Sequence, residues 1–414
     1  MILRKQKSIE YLITLLVVFL ALTDVFVFKI SGLPISIYIF FGPIFIAIVS
    51  LLKFQIPSLN NSIPFLILLY ILFSSFLNFK NVRITSVIYS LLFIVYYIYL
   101  NFSAKNNLSK EKFTWVLKVI IVSFFIVLLL SQFIVFFNLE ELKGPKGYFQ
   151  NSAQFGILFN NRTNVFRYHS LSSEPSYAAI IIILCFTVLI ELIKTRKVLY
   201  LYGALVLYML IAFKSSIGFL ILGTWFISQV SLSKKQFLIL GTIVFVGISL
   251  FFFTSIGGKS IDRLRDVVFL LLSFNGDFVN NLNLIDSSAY ARIGPLAAYI
   301  QGIDVFSYQT YFGFGASTSE AIFSNLIYPE TWNKHLVFKP PFLPGFLYDY
   351  GVFGVLLVLY LIWKTIKAQN FFFKITFIII LLNSNFNTQL FWFAFTLVSL
   401  KTLYNTQPNR INLK

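Results

Sequence analysis

Arg167-Tyr168-His169-Ser170-Leu171-Ser172-Ser173-Glu174-Pro175-Ser176 runs directly into Tyr177-Ala178-Ala179-Ile180-Ile181-Ile182-Ile183-Leu184-Cys185-Phe186-Thr187-Val188-Leu189-Ile190. The second half has almost no polar face to turn to water, and its length suits a helix crossing about 30 Å of hydrocarbon. The first half brings an Arg, a His and a Glu to the mouth of that helix, and ionisable groups at such a place need a reason. A bland reason covers part of it. Ser173 can cap the helix, Pro175 suits its first turn, and Glu174 then meets the positive end of the helix dipole. Arg167 and His169 are left without a role by that reading.

The rest of the chain repeats the apolar pattern. Of 414 residues, 58% are hydrophobic and 12% charged, against about 25% charged in soluble domains, and the mean hydropathy is +0.83. The fold class expected is an all-α polytopic membrane protein, one membrane domain over 1–414. Apolar runs at 9–28, 33–52, 63–79, 84–102, 114–137, 175–193, 198–213, 215–231, 237–255, 345–363, 369–384 and 387–404 give about twelve transmembrane helices. Asn383-Ser384-Asn385-Phe386-Asn387-Thr388-Gln389 reads equally as an external turn or as a polar break in one long helix. The first run follows Arg4-Lys5-Gln6-Lys7 and lacks a small-residue cleavage site, so it is expected to be a retained span.

The net charge of +18 is spread in small groups between apolar runs, which argues against nucleic acid as a partner. Placed on alternate loops, the groups around Lys105/Lys110/Lys112, Arg196/Lys197, Lys234/Lys235 and Lys364/Lys367 make one side strongly basic. By the positive-inside rule that side and both termini are cytoplasmic. Two long connections, 138–174 and 256–344, then fall together on the outer side, and most of the acids lie in them. Long loops are where a membrane protein carries functional surface.

Several function classes lose support. No internal duplication of the transporter kind is visible, and Asp24 and Glu191, read as the spanning acids, lie near span ends and away from the midplane. Gly257-Gly258-Lys259-Ser260 has the tail of a phosphate-binding loop, but Phe253 occupies the position of its first Gly. No Asp-x-Asp pair supports a metal-dependent sugar transferase, and two His with one Cys do not make a zinc site. No cofactor and no metal are implied. Aromatic residues, 19% of the chain, suit sugar stacking and membrane-interface belts alike.

The polar stretch also carries a resemblance. Arg167, a short spacer, Glu174-Pro175-Ser176 and the small-residue start Tyr177-Ala178-Ala179 resemble the segment before a mid-chain span in bacterial polysaccharide polymerases of the Wzy type, in the O-antigen polymerase and ligase superfamily. Further likenesses follow in order over roughly 165–360. Lys214-Ser215-Ser216-Ile217-Gly218 is similar to a family hairpin that carries an Arg, absent here. Arg292 on a helix-like 287–303 precedes Tyr311-Phe312-Gly313-Phe314-Gly315, and Gly351-Val352-Phe353-Gly354 stands at the start of span ten. At the position of the ligases' His stands Pro340-Pro341, and His335 is five residues too early, which favours a polymerase over the ligase alternative.

What the resemblance implies is a GT-C-like, metal-independent glycosyltransferase. It would move a glycan from polyprenyl diphosphate onto a lipid-linked oligosaccharide repeat unit at the outer face of the cytoplasmic membrane. Membrane lipid, a chain-length regulator and a repeat-unit flippase would be its partners. Such a reaction needs cations to hold the diphosphate and a base for the acceptor hydroxyl. Arginine's planar fork matches two phosphate oxygens, so Arg167 and Arg292 come first as clamps and Arg162 next. Glu174 is the candidate base with His169 second, and Gly313, Gly315 and His335 are candidate glycan contacts. A transporter or flippase without chemistry is the remaining alternative.

Overall fold

The structure, a computed structural model, describes residues 2–23, 27–30, 33–53, 62–137, 157–160, 165–193, 195–229, 266, 269–270, 278–285, 287–327 and 340–406. The chain runs α1 (Ile2–Ala21), β1 (Val27–Ile30), β2 (Leu33–Ser36), α2 (Ile37–Lys53), α3 (Ser62–Leu77), α4 (Ile84–Asn107) and α5 (Lys110–Phe136). It continues through β3 (Ile157–Asn160), β4 (Val165–Tyr168), α6 (Pro175–Leu192), α7 (Arg196–Phe213) and α8 (Ser216–Gln229). Then come α9 (Phe278–Ile285), α10 (Ser287–Gly302), α11 (Tyr308–Phe312), α12 (Thr318–Ile327), α13 (Phe342–Ile366), α14 (Phe371–Asn383) and α15 (Gln389–Thr406). Every expected span has its helix except 237–255, which lies outside the described residues. Among those residues α4, α5, α6, α7 and α13 are long and apolar enough to cross a membrane, and α2, α3, α8 and α14 are shorter apolar helices.

The opening stretch is the centre of the bundle. α6 packs against α5, α7, α8 and α15, and every residue from Ala178 to Cys185 is fully buried. A helix apolar on all sides is stable only with protein or lipid on all sides. Small residues bring the helices close, as helix packing in lipid requires. A Cβ added to Gly218 of α8 would sit 2.7 Å from the Ala179 Cβ of α6. The perimeter is the reverse of a soluble protein's: Leu51, Phe76, Phe136, Tyr200 and Trp363 all point outward. An apolar perimeter of this extent calls for hydrocarbon around it.

Several expectations need correction. The first span ends at Ala21 and not at 28, and the second begins at Ile37 and not at 33. Between them Val27-Phe28-Lys29-Ile30 pairs antiparallel with Leu33-Pro34-Ile35-Ser36, in register Val27↔Ser36 and Ile30↔Leu33. β-branched and aromatic residues favour that pairing. The first long connection also holds a hairpin, β3 with β4, in which Leu158 faces Arg167. Residues 384–388 form a turn between α14 and α15, not a break within one helix. Gly351-Val352-Phe353-Gly354 lies well inside α13, where Gly351 at φ 69°, ψ −177° kinks the helix. Asp349 therefore lies inside a helix long enough to span, an acid that the sequence reading did not count; Asp24, read as a spanning acid, lies outside the described residues.

Hydrogen bonds sort the helix ends. One end of the bundle gathers Thr23 after α1, Ser36 before α2, the start of α6 and the α14–α15 turn. At the other, the Glu10 Oε1 accepts from the Ser109 N–H and hydroxyl at 3.1 and 2.8 Å, and the Tyr404 hydroxyl donates to the Leu108 carbonyl at 2.7 Å. There Lys401, its side chain only 3% exposed, pairs with Glu191 at 2.8 Å.

Candidate functional site

The start of α6 is held by a short polar turn. Ser170 adopts a left-handed φ of 51° and its hydroxyl donates to the Phe124 carbonyl at 2.6 Å. The Ser172 and Thr23 hydroxyls are 2.6 Å apart, and the Ser173 N–H donates to the Thr23 carbonyl at 3.0 Å. The residue at the cap position is Glu174 and not Ser173, with Pro175 opening the helix. Pro175 suits the first helical position, where its missing N–H would be unpaired anyway, and the Glu174 carboxylate makes no cap bond. It is exposed to solvent, with the Ser176 hydroxyl donating to its Oε2 at 3.2 Å.

His169 is spent on this turn. Only 1% of it is exposed, its Nδ1 is bonded to the Ser172 carbonyl, and its Nε2 is buried without a hydrogen-bond partner among the described residues. Burial pushes its pKa down to about 4 against the favourable carbonyl contact, so the ring is neutral at pH 7. A donor Nδ1–H to that carbonyl leaves Nε2 as the bare acceptor. It is a positioning residue for the 169–173 turn in this conformation.

A second unit is built around glycines. The Gly313 backbone crosses α13 at Gly351 so closely that a Cβ on Gly313 would lie 2.2 Å from the Asp349 carbonyl oxygen, and one on Gly351 would lie 2.4 Å from Tyr311 backbone atoms. Both have positive φ, as does Gly315, a conformation open to glycine at no steric cost. Phe314 N–H and Gly315 N–H donate to the Tyr348 and Asp349 carbonyls at 2.9 and 3.1 Å. From α3, the Tyr70 hydroxyl is 2.7 Å from the Tyr350 carbonyl and the Ser74 hydroxyl 2.6 Å from that of Phe312. Gly313 and Gly315 thus serve a backbone crossing.

Asp349 closes this unit. Its carboxylate accepts from the Ser317 N–H at 3.0 Å and the Ser319 N–H at 2.9 Å. These are the open donors at the start of α12, so the acid of one helix caps another. Phe314 stacks on Tyr348 with centroids 4.3 Å apart, and Tyr299 of α10 meets the same ring edge-on at 6.1 Å.

The α14–α15 turn joins the two units. The Tyr177 hydroxyl donates to the Asn383 carbonyl at 2.9 Å on the α6 side. On the other side the Ser90 hydroxyl donates to Asn387 Oδ1 at 2.7 Å and lies 3.4 Å from the Tyr350 hydroxyl, while Asn385 Nδ2 donates to the Pro340 carbonyl at 3.1 Å. Arg167 is on β4 and Arg292 on α10, which packs on α13; their side chains, and the whole of Arg162 and His335, lie outside the described residues. Ser90, Asp349, Asn385 and Asn387 were not foreseen. The available signal was an Asp between two Tyr at a span mouth, and three Asn within a run of seven.

No known protein family, characterised protein or solved structure matches the chain.

Proposed function

We propose that this protein is a polysaccharide polymerase of the Wzy type, a metal-independent glycosyltransferase with its site on the outer face of the cytoplasmic membrane. The observation that carries the reading is the joining of the α6 entrance, with Arg167 and Glu174, to the α10–α13 unit, with Arg292, through the α14–α15 turn. The outward orientation is supported by the opposite end, where Lys105, Lys110, Lys112, Arg196, Lys197, Lys364 and Lys367 flank the helix termini, as cytoplasmic ends of membrane helices do.

In this reading the acceptor hydroxyl oxygen attacks the anomeric carbon of the donor glycan. The bond from that carbon to the diphosphate oxygen breaks, and polyprenyl diphosphate leaves with the electron pair, its charge held by Arg167 and Arg292. The hydroxyl proton passes to Glu174, the solvent-facing carboxylate at the start of α6. His169 holds the turn.

The test is turnover of a purified polyprenyl-diphosphate-linked repeat unit by the purified protein in detergent. A ladder of longer glycans is expected, in a single compartment where transport leaves no signal. A ligase would leave single units unjoined. Arg167→Ala and Arg292→Ala each remove charge-assisted hydrogen bonds worth about 1.5–3 kcal/mol, a loss of roughly 10- to 150-fold in kcat/KM. Normal chain length in both variants overturns the proposal.

A further inference from the structure

A cavity of about 340 Å³ opens between α3, α4, α13 and α15 at the end of the bundle remote from the candidate site. Its polar lining comes from three helices: Asn101 and Lys105 of α4, Lys364 and Thr365 of α13, Ser399 and Thr402 of α15. Ile63, Ile98 and Leu361 supply apolar wall. No acid lines the cavity, and both lysines are exposed, with no carboxylate among the described residues in ion-pair contact with either. Two ammonium groups on separate helices border one hollow, an arrangement that an anion entering it would complement. The volume is about ten times the ~30 Å³ share of one liquid water, enough for a phosphate with a short polar substituent.

We propose that this cavity binds the phosphate head of an anionic phospholipid, its acyl chains lying along the apolar perimeter of α3 and α13. Basic pockets between spanning helices are suited to such heads. The two lysines neutralise the phosphate, and its oxygens can accept from the second Nδ2–H of Asn101, whose first goes to the Tyr97 carbonyl, and from the one proton left over by the Tyr97–Ser399 hydroxyl pair. The Thr365 and Thr402 hydroxyls are already donated to the Leu361 and Val398 carbonyls. Phosphate and hydroxyl donors fit one another chemically whether the phosphate is lipid-borne or free; the exposed hydrocarbon beside the cavity, Phe65 and Leu69 of α3 and Trp363 of α13, favours the lipid. The inference stands apart from the transferase reading, since it uses none of the residues proposed there to hold the diphosphate or take the proton.

The experiment is titration of the full-length protein in detergent with dioctanoyl phosphatidylglycerol, dioctanoyl phosphatidylcholine and inorganic phosphate, with bound lipid read by native mass spectrometry. Saturable binding of phosphatidylglycerol is expected, with about fivefold weaker affinity for each lysine replaced and roughly thirtyfold for Lys105→Gln with Lys364→Gln, taking about 1 kcal/mol per lysine. Lys105→Arg with Lys364→Arg should keep the binding, and Lys197→Gln, an exposed lysine elsewhere at that end, should not weaken it. Equal binding by wild type and the double Gln variant, or equal binding of phosphatidylcholine, overturns the proposal. Inorganic phosphate binding as tightly as phosphatidylglycerol overturns the lipid as source.

Discussion

Gly351→Ala tests how the outer unit is held on the bundle. At φ 69°, ψ −177° the residue is in a region open essentially to glycine, where any other residue costs about 1–3 kcal/mol. The new methyl would also lie 2.4 Å from the Tyr311 carbonyl and 2.5 Å from the Gly313 nitrogen. Those are backbone atoms, so no rotamer change relieves the overlap, and overpacking adds about 1–3 kcal/mol. The sum, about 2–6 kcal/mol, falls on one crossing and so favours local opening of 308–327 over global unfolding. Ser319→Cys makes a near-isosteric reporter there, since Ser319 is fully buried. The native Cys185 is also fully buried and stays silent. Labelling by a water-soluble maleimide tracks the opening equilibrium, so Gly351→Ala should speed it about thirtyfold or more. Gly223→Ala, with nothing within 4 Å of the added Cβ, should leave it unchanged. Equal labelling in the Gly351→Ala variant and the parent would show that the crossing does not hold the unit.

Three further outcomes follow from single groups. His169 has a folded pKa of about 4 against about 6.5 when unfolded. Its contribution to stability is therefore complete above about pH 6.5 and is lost as pH falls toward 4, by about 3 kcal/mol in all; melting curves should show that slope, and His169→Asn should flatten it. Asp349→Ala strips the acceptor from the Ser317 and Ser319 N–H groups and should destabilise by about 1–3 kcal/mol, while Asp349→Asn, which keeps one acceptor oxygen, should cost less in the same melting assay. Glu191→Gln leaves the buried Lys401 ammonium with neutral partners alone, the Gln369 amide oxygen at 2.8 Å and the Phe373 ring, at a cost of about 1–3 kcal/mol, and adding Lys401→Met should recover most of the melting temperature.

Hydropathy made the bundle legible because a spanning helix must be long and apolar, and α4, α5, α6 and α7 stand where their runs stood. It failed where short pairing competed with helix: four residues on each side of a link suffice for β1 and β2, and a sliding apolar pattern cannot tell Val27-Phe28 from a helix end. The site was legible only in part, for a different reason. Glu174-Pro175 marks a helix start by local rules, yet the same rules favour Ser173 as the cap; in the structure Glu174 takes that position, and the Ser173 N–H is bonded to the carbonyl of Thr23, which follows α1. The crossing of Gly313 over Gly351 likewise joins residues far apart in sequence, so neither glycine announces its partner. The residues that join the two halves, Ser90, Asn385, Asn387 and Tyr350, are small or neutral and resemble ordinary helix-end residues when read singly. Their joint effect is to fix the α6 entrance and α13 to one turn. That makes a separable consequence for the proposed transfer: Asn387→Ala, which removes the acceptor of the Ser90 hydroxyl at 2.7 Å, should slow growth of the glycan ladder in detergent by up to about a hundredfold while Arg167, Glu174 and Arg292 are unchanged, because a displacement of about 1 Å between positioning elements is enough for that; a normal ladder rate in this variant would refute it.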